Sequence, residues 1–330
     1  MKKLTYSLLP LGITVGLCLN IAPASAGFIV REVIPDAALS IDGFGSTTNS
    51  GLIQANIPTG STIQRAYLYA ASVWDKSPVY DVIFHGTTLP VSSATILSPN
   101  SNPATTTARW DVTSIIASSF TGGLQNFNIV ENGDNDGEVL VVAYSNPSTQ
   151  GFTSVILDGE LSTTGDTVQF NFASPYTGGD FLVSLASSFS RQPSGQFTQI
   201  DVTTNSTNNR RLTTSAGGQD DGEGADGGLI TVGGIGDNPA NVAPTAKPMD
   251  TNLDDEYYNL ALGNSANPAP FILPGDTFLR LTTQNPTEDD NVFGMFITIS
   301  PTPVPEPSMT LGIFGIGAIG ILLSRRGKKS

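Results

Sequence analysis

Val139-Leu140-Val141-Val142 is a run of four consecutive apolar residues directly after the acidic, glycine-containing segment 132–138. Successive side chains of a strand point to opposite faces, so this run predicts a central strand that is buried on both faces. Two other stretches, 65–69 and 277–281, alternate apolar and polar residues in part. That pattern predicts strands with one face in water.

Short runs of β-branched and aromatic residues recur between turn clusters along the body of the chain. These runs predict strands at 28–33, 62–74, 80–84, 126–131, 138–144, 153–161, 167–173, 181–189, 197–203, 271–282 and 292–300. One short helix is predicted from Trp110, and 204–250, which is poor in apolar residues, is predicted as long loops. The pattern predicts an all-β body, either a β-sandwich or a jelly roll.

The N-terminal segment 1–26 has the order of a secretory signal peptide. Lys2 and Lys3 precede an apolar stretch, and Ala24-Ser25-Ala26 has the A-x-A form of a cleavage site. Cleavage by signal peptidase after Ala26 would leave Gly27 as the first mature residue. The segment therefore predicts export.

The C-terminal segment has three parts in a fixed order. Residues 301–308 form a proline-rich linker that contains Pro305-Glu306-Pro307, and 309–323 are apolar. Basic residues then close the chain, and they are Arg325, Arg326, Lys328 and Lys329. We predict a single transmembrane helix within 309–330 whose basic end stays in the cytoplasm, although its apolar part is shorter than the roughly 20 residues that usually span a bilayer.

This tail resembles the PEP-CTERM sorting signal in its motif, its apolar segment and its basic end. The resemblance implies processing by an exosortase in a bacterium that makes extracellular polysaccharide. The stretches 211–236 and 287–293 resemble a recurrent extracellular domain of bacterial surface proteins without an assigned activity. The resemblances imply a localisation in the outer envelope or the extracellular matrix, and they imply no enzymatic activity.

The body between the two ends is predicted as two sandwich parts, 27–157 and 158–300, with one continuous domain as the alternative. It holds 9 basic and 28 acidic residues, so its formal charge is −19. Such a charge repels nucleic acid, which we exclude as a partner. The body has no cysteine, which excludes disulfides and thiolate metal sites.

Three acidic loops are candidate calcium sites. In the first, oxygen-bearing side chains occupy alternate positions, as in the start of an EF-hand loop, and they are Asn132, Asp134, Asp136 and Glu138. The twelfth position of that pattern would be Ala143, which excludes a true EF-hand, and a hairpin turn is the alternative. The candidate ligands of the second and third loops are Asp220, Asp221, Glu223, Asp226, Asp289 and Asp290. For these two loops a solvated acidic loop is the alternative to a Ca²⁺ site.

The chain lacks the residues that zinc enzymes and serine hydrolases need. His85 is the only histidine and no Gly-x-Ser-x-Gly motif is present, which argues against a zinc enzyme or a serine hydrolase. A glycoside hydrolase needs only two carboxylates, one of them with a raised pKa, and so remains an alternative. We therefore predict no catalytic residue and keep that class open.

The sequence favours a non-catalytic surface or matrix protein that associates with extracellular polysaccharide. In this hypothesis Ca²⁺ assists by bridging carboxylates of the protein and the polymer. Aromatic residues offer stacking surfaces for sugar rings, and 254–258, Asp-Asp-Glu-Tyr-Tyr, combines them with acids. For both tryptophans, core packing is the favoured interpretation. A self-assembling coat protein is a further alternative.

Overall fold

The computed structural model describes residues 27–45, 48–72, 79–97, 107–133, 135–161, 164–188, 197–216, 229–239, 256–286 and 291–301. It contains one short α-helix, α1 (Thr113–Ser119), near the predicted position. In chain order the strands are β1 Ile29–Pro35, β2 Ala38–Phe44, β3 Ser50–Ile57, β4 Thr62–Ser72, β5 Val82–Phe84, β6 Thr87–Leu89, β7 Thr95–Ile96, β8 Thr107–Asp111, β9 Gly123–Glu131, β10 Asn135–Ser145, β11 Thr153–Asp158, β12 Thr167–Asn171, β13 Phe181–Ser188, β14 Thr198–Thr203, β15 Arg210–Ala216, β16 Ile230–Val232, β17 Tyr257–Asn259, β18 Phe278–Gln284 and β19 Asn291–Ile299.

The strands form four antiparallel sheets that pair into two jelly rolls. In the first, the sheet β2-β10-β4-β8-β7 packs on the sheet β3-β9-β5-β6. In the second, the sheet β1-β11-β19-β13-β16 packs on the sheet β12-β18-β14-β15, and β17 also pairs with β13. This alternation between two sheets is the jelly-roll order, so the predicted all-β fold class is confirmed. The predicted domain boundaries stay predictions, and β11 crosses the one near residue 158.

The two jelly rolls are stacked through a third hydrophobic core. One side of this core comes from β4 and β10, with Tyr69 and Val141, and the other side comes from β19, with Phe293 and Phe296. The rings of Tyr69 and Phe296 lie 5.7 Å apart between centroids. The sheets therefore form four layers, and the two inner sheets are covered on both faces.

The position of β10 in an inner layer confirms the prediction from its apolar run. Leu140 and Val142 face the core of the first jelly roll, while Val139 and Val141 face the core between the jelly rolls. All four side chains are fully buried. Burial of this kind stabilises by roughly 1.5–3 kcal/mol per large apolar side chain.

A buried ion-pair network links the two inner sheets at one side of the stack. Asp158 at the end of β11 is fully buried and accepts hydrogen bonds from Arg31, Arg109 and the Tyr69 hydroxyl. Arg31 is the extra residue of a bulge in β1, and the bulge lets its guanidinium reach Asp158 at 2.8 Å. Three donors thus compensate the cost of burying this carboxylate.

The ends of the chain lie outside the described residues. The predicted signal peptide 1–26, most of the linker 301–308 and the transmembrane segment 309–330 lie there, and they stay predictions. No helix in the part of the chain that the structure describes is long and apolar enough to span a bilayer.

Candidate functional site

A polar cleft lies where the two jelly rolls meet on the side of β2. Its volume is 270 Å³, and it is lined by Leu39, Ser40, Ile41, Asn56, Gly234, Ile235, Gly236 and Tyr257. We call it the Tyr257 cleft. Its residues come from β2, β3, β17 and the turn after β16, so both jelly rolls contribute. The cleft volume is just below the range of roughly 300–1,000 Å³ for drug-sized ligands. A cleft of this volume fits a small polar ligand.

Tyr257 reaches the cleft because of strand alternation in β17. β17 pairs with β13, so adjacent side chains point to opposite faces. Tyr258 is buried in the core of the second jelly roll, whereas Tyr257 is partly exposed in the cleft. Of the predicted acid-aromatic segment 254–258, Tyr257 is the residue placed to contact a ligand, and Glu256 is fully buried.

The turn after β16 forms the second wall, and its glycines permit a close approach to β2. The Ile235 N–H donates to the Ile41 carbonyl at 3.0 Å. A Cβ at Gly234 would overlap that same carbonyl oxygen, so only glycine fits there. The turn is closed by Asp237, whose Oδ2 accepts from the Gly234 N–H at 2.5 Å.

The first wall is fixed by side chains of β2 that cap the free edge of β3. Ser40 Oγ accepts from the Asn56 N–H at 2.8 Å, and Asp42 Oδ2 accepts from the Gln54 N–H at 2.5 Å. These bonds satisfy edge donors that would otherwise offer a site for another strand. They also hold the wall rigid.

Two carboxyl groups follow lining residues of the cleft in the chain, Asp42 after Ile41 and Asp237 after Gly236, and neither belongs to the lining itself. Burial raises the pKa of Asp42 to about 7, against the effect of its hydrogen bonds from the Gln54 and Gly43 N–H groups, and the charge of Asp237 adds to the rise. Burial likewise raises the pKa of Tyr257 to about 12, with a further contribution from Asp237. The lining of the cleft thus combines one aromatic ring with neutral polar groups, and the charge of Asp237 acts on both Asp42 and Tyr257.

The first predicted calcium loop has an unexpected geometry. β9 ends at Glu131 and β10 begins at Asn135, and the two strands belong to different sheets, so the alternative of a hairpin turn is wrong. Asn132 is exposed, whereas Asp136 and Glu138 are buried. The Asp136 position is a bulge in β10, which turns the fully buried Glu138 into the core side of the first jelly roll.

Glu138 lies beside Glu131 and Asn135, two residues that the loop spacing did not indicate. Burial raises the pKa of Glu138 to about 8, and hydrogen bonding with Glu131 and Asn135 acts in the opposite direction. The alternation of β9 could have indicated Glu131 from the sequence, because Glu131 follows the buried Ile129 by two residues and therefore points to the same face. Among the described residues, no three histidine, cysteine or carboxylate side chains come together as a metal site. Binding of Ca²⁺ by this loop stays a prediction.

The remaining predicted site residues lie outside the described part of the chain. They are Ala24, Ala26, Asp134, Asp220, Asp221, Glu223, Asp226, Asp289, Asp290, Pro305, Glu306, Pro307, Arg325 and Arg326.

His85 is exposed in a tight turn with its ring edge on Phe127. Trp110 is buried, as expected, and its indole N–H donates to the Pro90 carbonyl at 3.0 Å.

Comparison with known protein families identifies a sorting motif at the C-terminal end. The PEP-CTERM protein-sorting motif matches residues 303–326. The chain is therefore an exported all-β protein that carries a PEP-CTERM sorting signal. The signal implies exosortase as its processing partner and a membrane-anchored precursor on the way to the cell envelope or surface. The match covers the tail alone.

Other comparisons say little about the body. No curated protein matches the chain. A solved structure of PNGF-II is 11% identical, with a TM-score of 0.24 over 88% of this chain, which spans 66% of the length of that structure. A structure named BspA_C_WT is 8% identical, with a TM-score of 0.12 over 80% of this chain and 91% of that one. Similarities this low assign neither fold nor function.

Proposed function

We propose that the protein is a surface or extracellular-matrix protein that associates with polysaccharide without cleaving it. The observation that carries the proposal is the Tyr257 cleft, in which one partly exposed aromatic ring faces Ser40 and Asn56. Sugar rings present apolar faces and hydroxyl groups, which match an aromatic ring beside neutral donors and acceptors. The rigid walls favour binding because little side-chain entropy is lost.

Replacing Tyr257 with alanine is expected to weaken binding of the body, residues 27–304, to the extracellular polysaccharide of its host. Loss of the ring removes the stacking surface, and we expect roughly a tenfold loss, equivalent to about 1.4 kcal/mol. Co-sedimentation with the polymer measures the effect. Tyr80→Ala is the matched control, because Tyr80 is 41% exposed and lies outside the cleft.

The same experiment decides between the alternatives. Binding that persists in the Tyr257 variant would contradict a role for the cleft. Absence of binding in the native body would contradict the proposal and direct attention to self-assembly as a coat. Calcium and chelator arms test the calcium part of the proposal, since carboxylates of protein and polymer can share a hard cation.

A glycoside hydrolase is the second candidate, and the pKa of Asp42 favours it. An acid catalyst of glycoside cleavage needs a carboxyl group with a raised pKa, and burial raises the pKa of Asp42 to about 7 with a further contribution from the charge of Asp237. In that case the polymer shortens, and Asp42→Asn is expected to reduce the release of reducing ends at least about 100-fold. Reducing ends that do not increase over time with the native protein would exclude this candidate.

A further inference from the structure

The outer face of the sheet β12-β18-β14-β15 differs in charge from the rest of the body. Its outward side chains include Gln169 and Asn171 from β12, Phe278 and Arg280 from β18, Asp201 from β14 and Arg211 from β15. Among these side chains, one carboxylate and two guanidinium groups leave one unit of positive charge, although the body carries −19. We call it the Arg280 face.

Arg280 is held in place by neutral partners. Its Nε and Nη2 donate to Gln169 Oε1 at 2.8 and 2.6 Å, and Gln169 Nε2 donates to Asn171 Oδ1 at 3.1 Å. The Phe278 ring centroid lies 5.9 Å from the guanidinium carbon. The side chain is thus oriented, and no acid in the described part of the chain forms an ion pair with it.

The other arginines that the structure describes are used within the fold. Arg31 and Arg109 pair with Asp158, and Arg65 pairs with Glu32. Arg211 forms a two-pronged ion pair with Asp201, and Arg210 donates to backbone carbonyls of 267–270. Within the described residues, Arg280 alone donates to neither a carboxylate nor a backbone carbonyl.

We infer that the Arg280 face binds a polysaccharide that carries carboxylate groups, with Arg280 as the contact for one uronate carboxylate. A guanidinium offers two parallel N–H donors that match a carboxylate. An acidic polymer is repelled by the −19 body elsewhere, so this face also sets where such a polymer can lie. The inference rests on the proposed association with polysaccharide and adds the charge class of the polymer.

The test compares polygalacturonate with the same polymer after methyl esterification, which removes the charge and keeps the backbone. The exported protein is used, in chelator, so that calcium cannot bridge two anions. We expect binding to polygalacturonate, loss of binding on esterification, and weakening by salt, since exposed charges are screened.

Arg280→Gln is expected to bind polygalacturonate roughly 10- to 100-fold more weakly, because a charge-assisted contact is lost. Arg65→Gln, which changes a 49% exposed arginine on the first jelly roll, is the matched control and is expected to bind like the native protein. Arg280→Lys keeps the charge without the paired donors and is expected to be intermediate. It also serves if the glutamine variant does not fold.

Equal binding of the charged and esterified polymers, or native affinity in Arg280→Gln, would overturn the inference. A protein that binds the host polysaccharide through Tyr257 and ignores polygalacturonate would disprove the inference and leave the proposed function intact. The reverse result, with polygalacturonate bound and Tyr257→Ala unaffected on the host polymer, would disprove the role of the cleft alone.

Discussion

Replacing Asp158 with alanine is expected to lower the free energy of unfolding by about 3–5 kcal/mol, because it leaves a buried cation without its partner. Arg109 is 8% exposed and donates to this carboxylate, as does Arg31 from the bulge of β1. Asp158 itself is fully buried between the jelly rolls. Urea denaturation of the native and variant proteins measures the loss.

A graded series separates this effect from a general loss of packing. Tyr69→Phe removes one hydroxyl donor to Asp158, at 3.2 Å, and is expected to cost about 1 kcal/mol. Arg65→Ala breaks an ion pair whose arginine is 49% exposed and is expected to cost at most about 1 kcal/mol. Equal losses for Asp158→Ala and Arg65→Ala would show that the buried network does not join the two jelly rolls.

The second large effect is a dependence of stability on pH that comes from Glu138. The unfolded chain releases this proton near the ordinary pKa of 4.5, whereas the folded protein holds it to about pH 8. Between these values the folded state binds more protons, so stability falls as pH rises. For one proton the slope is about 1.4 kcal/mol per pH unit.

Glu138→Gln is expected to remove the part of the slope that comes from Glu138, while the part that comes from the raised pKa of Asp42 remains. The variant is expected to be more stable than the native protein at pH 8, since the amide is never charged. The measurement is the difference in unfolding free energy between native protein and variant at several values from pH 5 to pH 8. Asp111→Asn, at an exposed position, is the control and is expected to leave the slope unchanged. A difference that stays constant over this range would refute the assignment to Glu138.

The fold class could be predicted because strand alternation and turn residues are local properties. The exposure of each strand could not be predicted from the sequence, because it depends on how the sheets stack. The stretch 65–69 was predicted to have one wet face, but Tyr67 and Tyr69 lie in the core between the jelly rolls, with their hydroxyls bonded to Glu32 and Asp158. The stretch 277–281 has a similar pattern and does keep a partly exposed face in β18.

The prediction of long loops over 204–250 was wrong at two places. β15 and β16 lie there, and each needs only two or three apolar residues, such as Leu212 and Ile230, because it pairs at the edge of a sheet. Composition averaged over a long window hides strands this short. The Tyr257 cleft was visible in the sequence only as an acid-aromatic segment, because its walls come from strands and turns far apart in the chain.

The position of β19 has a consequence for the order of events during export. It lies between β11 and β13, and three residues separate Ile299 from the start of the matched sorting motif at 303. A chain that crosses the membrane N-terminus first delivers this central strand last, and pairing over such long sequence separations is slow. We therefore expect the second jelly roll to close last, when β19 pairs with β11 and β13. If an exosortase cuts the tail after this closure, it releases a finished sheet, whereas an earlier cut would release a sheet with open edges that can pair with other chains.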